Sequence, residues 1–236
     1  MTINTAANLL LQTLPERDKQ ALYKKGEMVD IDLDSLICDA CLPITHVYFP
    51  VTGYISLVAA TKEHPHLETA LIGAEGMLGA SLVLNVDSAP TRAVVKLAGS
   101  ALRFTTSEFM LAMNDHPRLH RVIQRYLFVT MIQQSHIVSC THFHEVGSRL
   151  ARWLLMVHDR VHGDEIYITH SALANLLGVR RSAVSIAASR IQKQQLIRYS
   201  RGEITIMNRQ GLEQASCGCY DALCADYNKL FSPVSA

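Results

Sequence analysis

A chain of 236 residues with 49% hydrophobic and 18% charged side chains is long enough for two modest folded domains and matches no disordered or repetitive class. No apolar run approaches the roughly 20 residues of a membrane span, and the start MTINTAANLL has no basic lead into an apolar signal core, so a cytoplasmic protein with no membrane partner is expected. The net charge of +1 hides an asymmetry: residues 149–209 carry ten Arg and Lys against four acids, a net +6, while the remainder is mildly acidic. That is the footprint of a DNA-binding module joined to a separate partner domain.

Taken in order, Leu10, Leu14 and Leu22 around Pro15-Glu16-Arg17 predict a short helix within residues 7–23, proline being tolerated in a first helical turn. From Gly26 onward the pattern becomes short β-favouring runs (residues 44–49, 54–60, 70–72, 93–97 and 101–104) broken by Pro50, Gly53, Gly73, Gly76, Gly79, Pro90 and Gly99. Many short strands between such breakers predict a compact antiparallel barrel or sandwich. Between Pro117 and about Cys140 the period turns helical and stays so for about six turns without Gly or Pro. The apolar stripe is wider than one buried side needs, which predicts one face on the β-domain and another on a second copy of the chain. Val122, Ile123, Tyr126, Thr130, Gln133 and Ile137 are the candidate dimerisation residues.

A second amphipathic helix over residues 149–160, with Leu150, Trp153, Leu154 and Val157, and a short strand at 166–168 lead into THSALANLLGVRRSAVSIAASRIQKQ, residues 169–194. This stretch reads as two helices. Leu173, Ala174 and Leu177 face inward from the first, Gly178 makes the turn, and Val184 and Ala187 face inward from the second. A small Ala and a turn Gly four residues apart let two helices cross closely, as in a helix-turn-helix. An αα-hairpin within a helical core has the same spacing, but the outer face of the second helix carries Arg180, Arg181, Ser182, Ser185, Ser189 and Arg190, suited to phosphates and base edges. Two strand-like runs, 196–199 and 204–207, flank Ser200-Arg201-Gly202-Glu203, a basic wing with Arg201 at its tip. Residues 211–230 have helical character and end in a loose tail.

This order of parts resembles the Crp/Fnr family of bacterial transcription regulators. The resemblance rests on YFPVTGYISLV, Ile72-Gly73-Ala74-Glu75-Gly76, Arg92-Ala93-Val94-Val95, HPRLHRVIQRY, SRLARWLLMVHDRV, and LGVRRSAVSIAASRIQKQQLIRYSRGEITI followed by Cys217-Gly218-Cys219-Tyr220. It implies an α+β chain with three parts. These are an N-terminal cyclic-nucleotide-binding-like antiparallel β-roll with a leading helix (residues 1–116), a long dimerisation helix (117–146) and a C-terminal winged helix-turn-helix (147–236). It also implies a homodimer on a palindromic operator in double-stranded DNA, with RNA polymerase and an unidentified small-molecule effector as candidate partners. Carried over by position, the resemblance sets Thr169, His170, Ser171 and Arg180 near phosphates. Arg181, Ser182 and Ile186 match base-reading positions, and Ser185 shares their face. The best-known members carry Glu and Arg where this chain has Ser182 and Ile186, so their operator is not expected here.

Members that bind cyclic nucleotides use a Gly-Glu pair for the ribose and an Arg with a hydroxyl neighbour for the cyclic phosphate. Here the turn reads Leu78-Gly79-Ala80-Ser81, without the Glu, and the phosphate segment reads Ala89-Pro90-Thr91-Arg92-Ala93. An anion needs charge-assisted bonds to offset its desolvation. Gly79, Ala80, Thr91 and Arg92 are therefore candidate effector contacts, with a cyclic nucleotide not the expected ligand.

The six cysteines (Cys38, Cys41, Cys140, Cys217, Cys219, Cys224) are expected as free thiols in a reducing cytosol. Cys38-x-x-Cys41 with Cys140 and His142 or His144 raises a metal or iron-sulfur grouping, but lacks the N-terminal cysteine cluster of oxygen-sensing relatives. Cys217 and Cys219 fit either packing or a thiol sensor. His64-Pro65-His66-x-Glu68 invites a cupin-type metal reading without a second cupin motif, and a solvated hairpin tip accounts for it better. The eleven histidines show no axial pair for haem. No cofactor or metal ligand set is assigned, and without a nucleophile elbow, phosphate loop or framed carboxylate pair no enzyme is expected. The competing reading is a cupin-like or redox-sensing β-roll protein without sequence-specific DNA binding.

Overall fold

The computed structural model describes residues 7–59, 67–161 and 163–231. Two short helices open it, α1 (Leu9–Gln12) and α2 (Glu16–Lys25), in place of the single helix expected. The Asn8 side chain accepts from the backbone N–H of Leu10 and Leu11 and donates to the carbonyls of Pro50 and Gly76, which fixes α1 on the β-domain.

Seven strands follow: β1 (Glu27–Ile31), β2 (Leu36–Cys38), β3 (His46–Pro50), β4 (Tyr54–Val58), β5 (Glu68–Ile72), β6 (Arg92–Leu97) and β7 (Gly99–Thr105). They form two antiparallel sheets, ordered β1-β7-β3 and β2-β6-β4-β5, with Phe49, Phe104, Ile55, Val95 and Leu102 buried among them. This is the expected β-roll. A 3-10 turn (Ala80–Leu84) joins β5 to β6. Helix α3 (Thr106–Asp115) starts on a capping box in which Thr105 and Glu108 satisfy each other's backbone N–H groups.

Helix α4 (Pro117–Phe143) runs 27 residues, roughly 40 Å at 1.5 Å per residue. It buries Leu119, Ile123, Tyr126, Val129, Gln133 and Cys140 against the β-roll and α9 (Cys219–Phe231), which folds back along it. Helix α5 (Val146–His158) buries almost every side chain from Arg149 to Val157 and supports the C-terminal module. That module comprises β8 (Glu165–Tyr167), α6 (His170–Leu177), α7 (Arg181–Lys193), β9 (Ile197–Ser200), β10 (Glu203–Ile206) and α8 (Arg209–Ala215), with the sheet ordered β8-β10-β9. Among the described residues no helix is long and apolar enough to cross a membrane.

Candidate nucleic-acid interface

The helix pair forms because its inner positions are apolar at helical spacing and its turn is glycine. Leu173, Ala174 and Leu177 of α6 and Val184, Ala187, Ala188 and Ile191 of α7 are buried. Gly178 sits at φ +64°, where an added Cβ would both strain the backbone and meet Leu67 at 2.9 Å. Thr169 caps α6 by accepting from the Ala172 N–H, 3.2 Å. Its hydroxyl thus serves the helix start, beside which the exposed Ser171 lies.

Arg180 is the exposed N-cap of α7, and Arg181, Ser182, Ile186, Ser189, Arg190 and Lys193 are exposed along one side of that helix. Ser185 differs. Its hydroxyl donates to the Arg181 carbonyl (3.1 Å) and so accepts from His170 Nδ1 (3.0 Å). His170 in turn stacks on Tyr199 of β9, ring centroids 4.1 Å apart, with Nε2 buried and unpartnered among the described residues. Burial, then the charge of Arg181, lowers the His170 pKa, so the ring is neutral at pH 7. These two side chains brace α6, α7 and the wing against one another, and neither polar group is free for phosphate or a base in this arrangement.

The wing tip is a two-residue turn, Arg201-Gly202, with φ +50° and +87° and Glu203 paired to Ser200 across it. Positive φ at both central residues is the hairpin turn that matches strand twist, and it usually takes Asn-Gly. An arginine holding a left-handed backbone there is locally strained, and its exposed side chain sits at the turn of the wing.

Charge separates by burial in this half of the chain. Arg149, Arg152 and Arg160 are buried, and Arg209 bonds His158, Asp159, Glu213 and Tyr220. The remaining six cations of residues 149–209 (Arg180, Arg181, Arg190, Lys193, Arg198 and Arg201) are all exposed on α7 and the wing. None forms an ion pair among the described residues. The surface excess therefore lies where a DNA backbone would run.

In the β-roll, a cavity of about 380 Å³ is lined by Gly79, Ala80 and Thr91 together with mainly apolar residues such as Ile44, Leu71 and Leu127. Gly79, at φ +93°, lets the 3-10 turn close over it. Arg92 is not in the lining, contrary to expectation. It makes a two-pronged ion pair with Asp39, 2.9 and 3.2 Å, so the one cation expected to grip a phosphate is already taken.

The dimerisation residues also need correction. Ile123, Tyr126 and Gln133 are buried within the protomer, Tyr126 against Met77 and Gln133 against Tyr227 of α9. Val122, Thr130 and Ile137 are half-buried. The outward stripe is instead Phe128, Met131 and Val138, 63%, 68% and 70% exposed.

Of the histidine-glutamate grouping, Glu68 accepts hydrogen bonds from Ser56 Oγ (2.5 Å) and Trp153 Nε1 (2.7 Å), while His64 and His66 lie outside the described residues. Cys38 and Cys41 stand apart from Cys140. A grouping the spacing did not reveal is Cys140, His144, Cys217 and Cys219, whose ligand atoms all lie within 4.8 Å of one another. Tyr220, next in that motif, donates to Asp159 Oδ2 and accepts from Arg209, fastening α9 to the end of α5.

Residues 148–215 match the Crp-like helix-turn-helix domain family. A comparison with curated protein sequences returns no match. Solved structures of similar fold include FixK2 from Bradyrhizobium japonicum (17% identity, TM-score 0.68, covering 81% of this chain and 98% of that one). The transcriptional regulator TTHA1359 of the CRP/FNR family from Thermus thermophilus is similarly placed (18%, 0.68, 80% and 98%). So is CLP, described as a c-di-GMP-responsive global regulator, from Xanthomonas campestris (14%, 0.64, 81% and 99%). The chain thus has the fold of the Crp/Fnr transcription regulators and carries a Crp-like helix-turn-helix domain.

Proposed function

We propose that this chain is a sequence-specific transcription regulator that binds a palindromic operator as a homodimer, with α7 in the major groove and the Arg201 wing on the backbone. The observation that carries the reading is the set of six exposed cations on α7 and the wing, none in an ion pair among the described residues. Arg181 and Ser182, at the exposed start of α7, occupy the part of a recognition helix that reaches base edges. Arg181 is the candidate for a two-pronged guanine contact. Ser182 and Ile186 offer a small hydroxyl and an apolar surface, the latter suited to a thymine methyl. Arg180 and Arg201, with the backbone N–H groups at the start of α6, position the phosphates.

The two-fold partner is read from α4. Phe128, Met131 and Val138 are an apolar stripe that the protomer leaves open on its longest helix, and a helix-turn-helix needs a second copy to read two half-sites. The β-roll cavity, apolar and with Arg92 committed to Asp39, suits a small apolar effector better than a cyclic nucleotide.

Binding of operator and random duplexes by Arg181→Ala and Arg201→Ala across a salt series tests the assignment. Arg181→Ala is expected to cost about 1–3 kcal/mol on the operator and much less on random DNA. Arg201→Ala is expected to weaken both and to reduce the salt slope by about 1. Equal losses on both duplexes for Arg181→Ala would remove it from base reading.

A further inference from the structure

We propose that Cys140, His144, Cys217 and Cys219 bind one zinc ion, which clips the C-terminal end of α4 to the start of α9. Cys140 lies in the last turn of α4, His144 is its C-cap, Cys217 lies in the link between α8 and α9, and Cys219, just past Gly218, opens α9. The Cys140 and Cys217 sulfurs are 3.4 Å apart, and Cys219 Sγ is 3.6 Å from His144 Nδ1.

Zinc bonds of about 2.3 Å to sulfur and about 2.0–2.1 Å to nitrogen build a tetrahedron with edges of about 3.8 Å between sulfurs and about 3.6 Å from sulfur to nitrogen. The sulfur–nitrogen spacing equals that edge, the sulfur–sulfur spacing is about 0.4 Å shorter, and all four ligand atoms lie within 4.8 Å of one another, so small side-chain shifts would complete the tetrahedron. Both spacings exceed the bond of about 2.05 Å in a disulfide. Convergence of all four atoms also suits one ion better than an iron-sulfur cluster, whose thiolates are spread over several irons. Three soft thiolates and an imidazole select zinc over magnesium or calcium.

A second observation points to the same charge pattern. Arg152, on α5, is 7% exposed, and its Nε and Nη1 are buried with no hydrogen-bond partner among the described residues. Its guanidinium acts electrostatically on Cys140, Cys217 and Cys219, and on the Glu68 carboxyl as well. A buried guanidinium with unpartnered donors is costly unless a compensating anion lies beside it. Zinc with three thiolates and a neutral imidazole carries net charge −1, which Arg152 neutralises. Binding releases the thiol protons, with no change of oxidation state at metal or sulfur.

The clip closes one end of a pairing that is otherwise made by side chains. Farther along, α9 meets α4 through His136 and Asp226 (3.1 Å), Gln133 and Tyr227 (3.4 Å), and Arg125 with the Lys229 carbonyl (2.7 Å). The site stands at the point where α4 gives way to α5, and does not depend on the DNA-binding reading.

Elemental analysis and native mass spectrometry of the full-length chain, purified under reductant and gel-filtered after incubation with zinc, test the proposal. One zinc per chain is expected, lost in Cys217→Ser and Cys219→Ser and retained in Cys38→Ser and Cys224→Ser. Cobalt loading of the unaltered chain is expected to give thiolate charge-transfer and tetrahedral visible bands, a readout that requires no variant to fold. A folded, reduced chain that takes up neither metal, a Cys140–Cys217 disulfide in the purified protein, or iron with acid-labile sulfide would each overturn it.

Discussion

Replacing Glu75 with alanine should unfold this protein at markedly lower temperature, because it strands a charge that the fold has taken out of water. Glu75 lies in the turn after β5 and Arg160 just beyond α5, and their side chains are 0% and 3% exposed. Arg160 donates to Glu75 through Nε (3.0 Å) and Nη2 and to the Met156 carbonyl through Nη1, while Glu75 also accepts from the Gly73 N–H, 3.1 Å. The pair is therefore a buried tie between the β-roll and the helix that supports the C-terminal module. Removing one partner of such a pair costs about 3–5 kcal/mol, chiefly through the uncompensated charge left behind. At about 2–4 °C per kcal/mol for a chain of this size, Tm should fall by about 6–20 °C. Thermal melts followed by circular dichroism measure it. The double replacement Glu75→Leu with Arg160→Met should recover most of the loss, since apolar residues of similar volume can substitute for a buried ion pair. A drop below about 2 °C for the single variant, or a double variant no better than the single, would refute the reasoning.

Other perturbations follow from the same packing. Phe128→Asp places a charge in the open stripe of α4 and, on the proposed homodimer, should turn a dimeric mass in light scattering into a monomeric one with little change in protomer stability; an unaltered mass would remove that face from the proposed interface. Burial raises the Glu68 carboxyl from 4.5 to about 7, against the hydrogen bonds from Ser56 and Trp153. An acid whose folded pKa is raised is favourable while protonated, so its contribution is fully present below about 4.5 and is lost as pH rises toward 7. Glu68→Gln should therefore gain on the unaltered protein by about 1–3 kcal/mol between pH 5 and 8. Trp153, the single tryptophan, should report the titration in its fluorescence near pH 7, a signal absent from Glu68→Gln; a flat profile would contradict the buried carboxyl. Cyclic AMP and cyclic GMP should leave Tm unchanged, because Asp39 already occupies Arg92; a saturable rise would show that the pair opens for an anion.

The C-terminal module was legible because its signals are local. Leu173, Ala174, Leu177, Gly178 and Val184 are fixed by helix period and turn chemistry, and Arg201-Gly202 by the hairpin turn they make. Helix α3 carried an equally local signal, Thr105-Thr106-Ser107-Glu108 before Phe109, that the alternation of the preceding strands obscured. Strands β1 and β2 escaped because they expose Met28 and Leu36 and mix in Asp30, leaving no clean alternation. Helix α4 is apolar on two faces, and periodicity alone does not say which meets the β-roll and α9. By period alone Tyr126 and Gln133 fit an outward face, yet they face Met77 and Tyr227. In sequence Arg92 has the look of an effector contact because Asp39, 53 positions away, becomes its neighbour only across the β2–β6 pairing. The cysteine-histidine cluster is hidden for the same reason, with 77 positions between Cys140 and Cys217.

Selection of bound duplexes from a random pool by the purified full-length chain tests whether it reads a palindromic operator. An enriched two-fold symmetric sequence is expected, with half-sites about 10–10.5 base pairs apart or a multiple of that spacing. Affinity for it should fall steeply with salt, and Arg181→Ala should blur one position in each half-site. A pool that emerges unenriched, or binding indifferent to both salt and Arg181, would contradict that expectation.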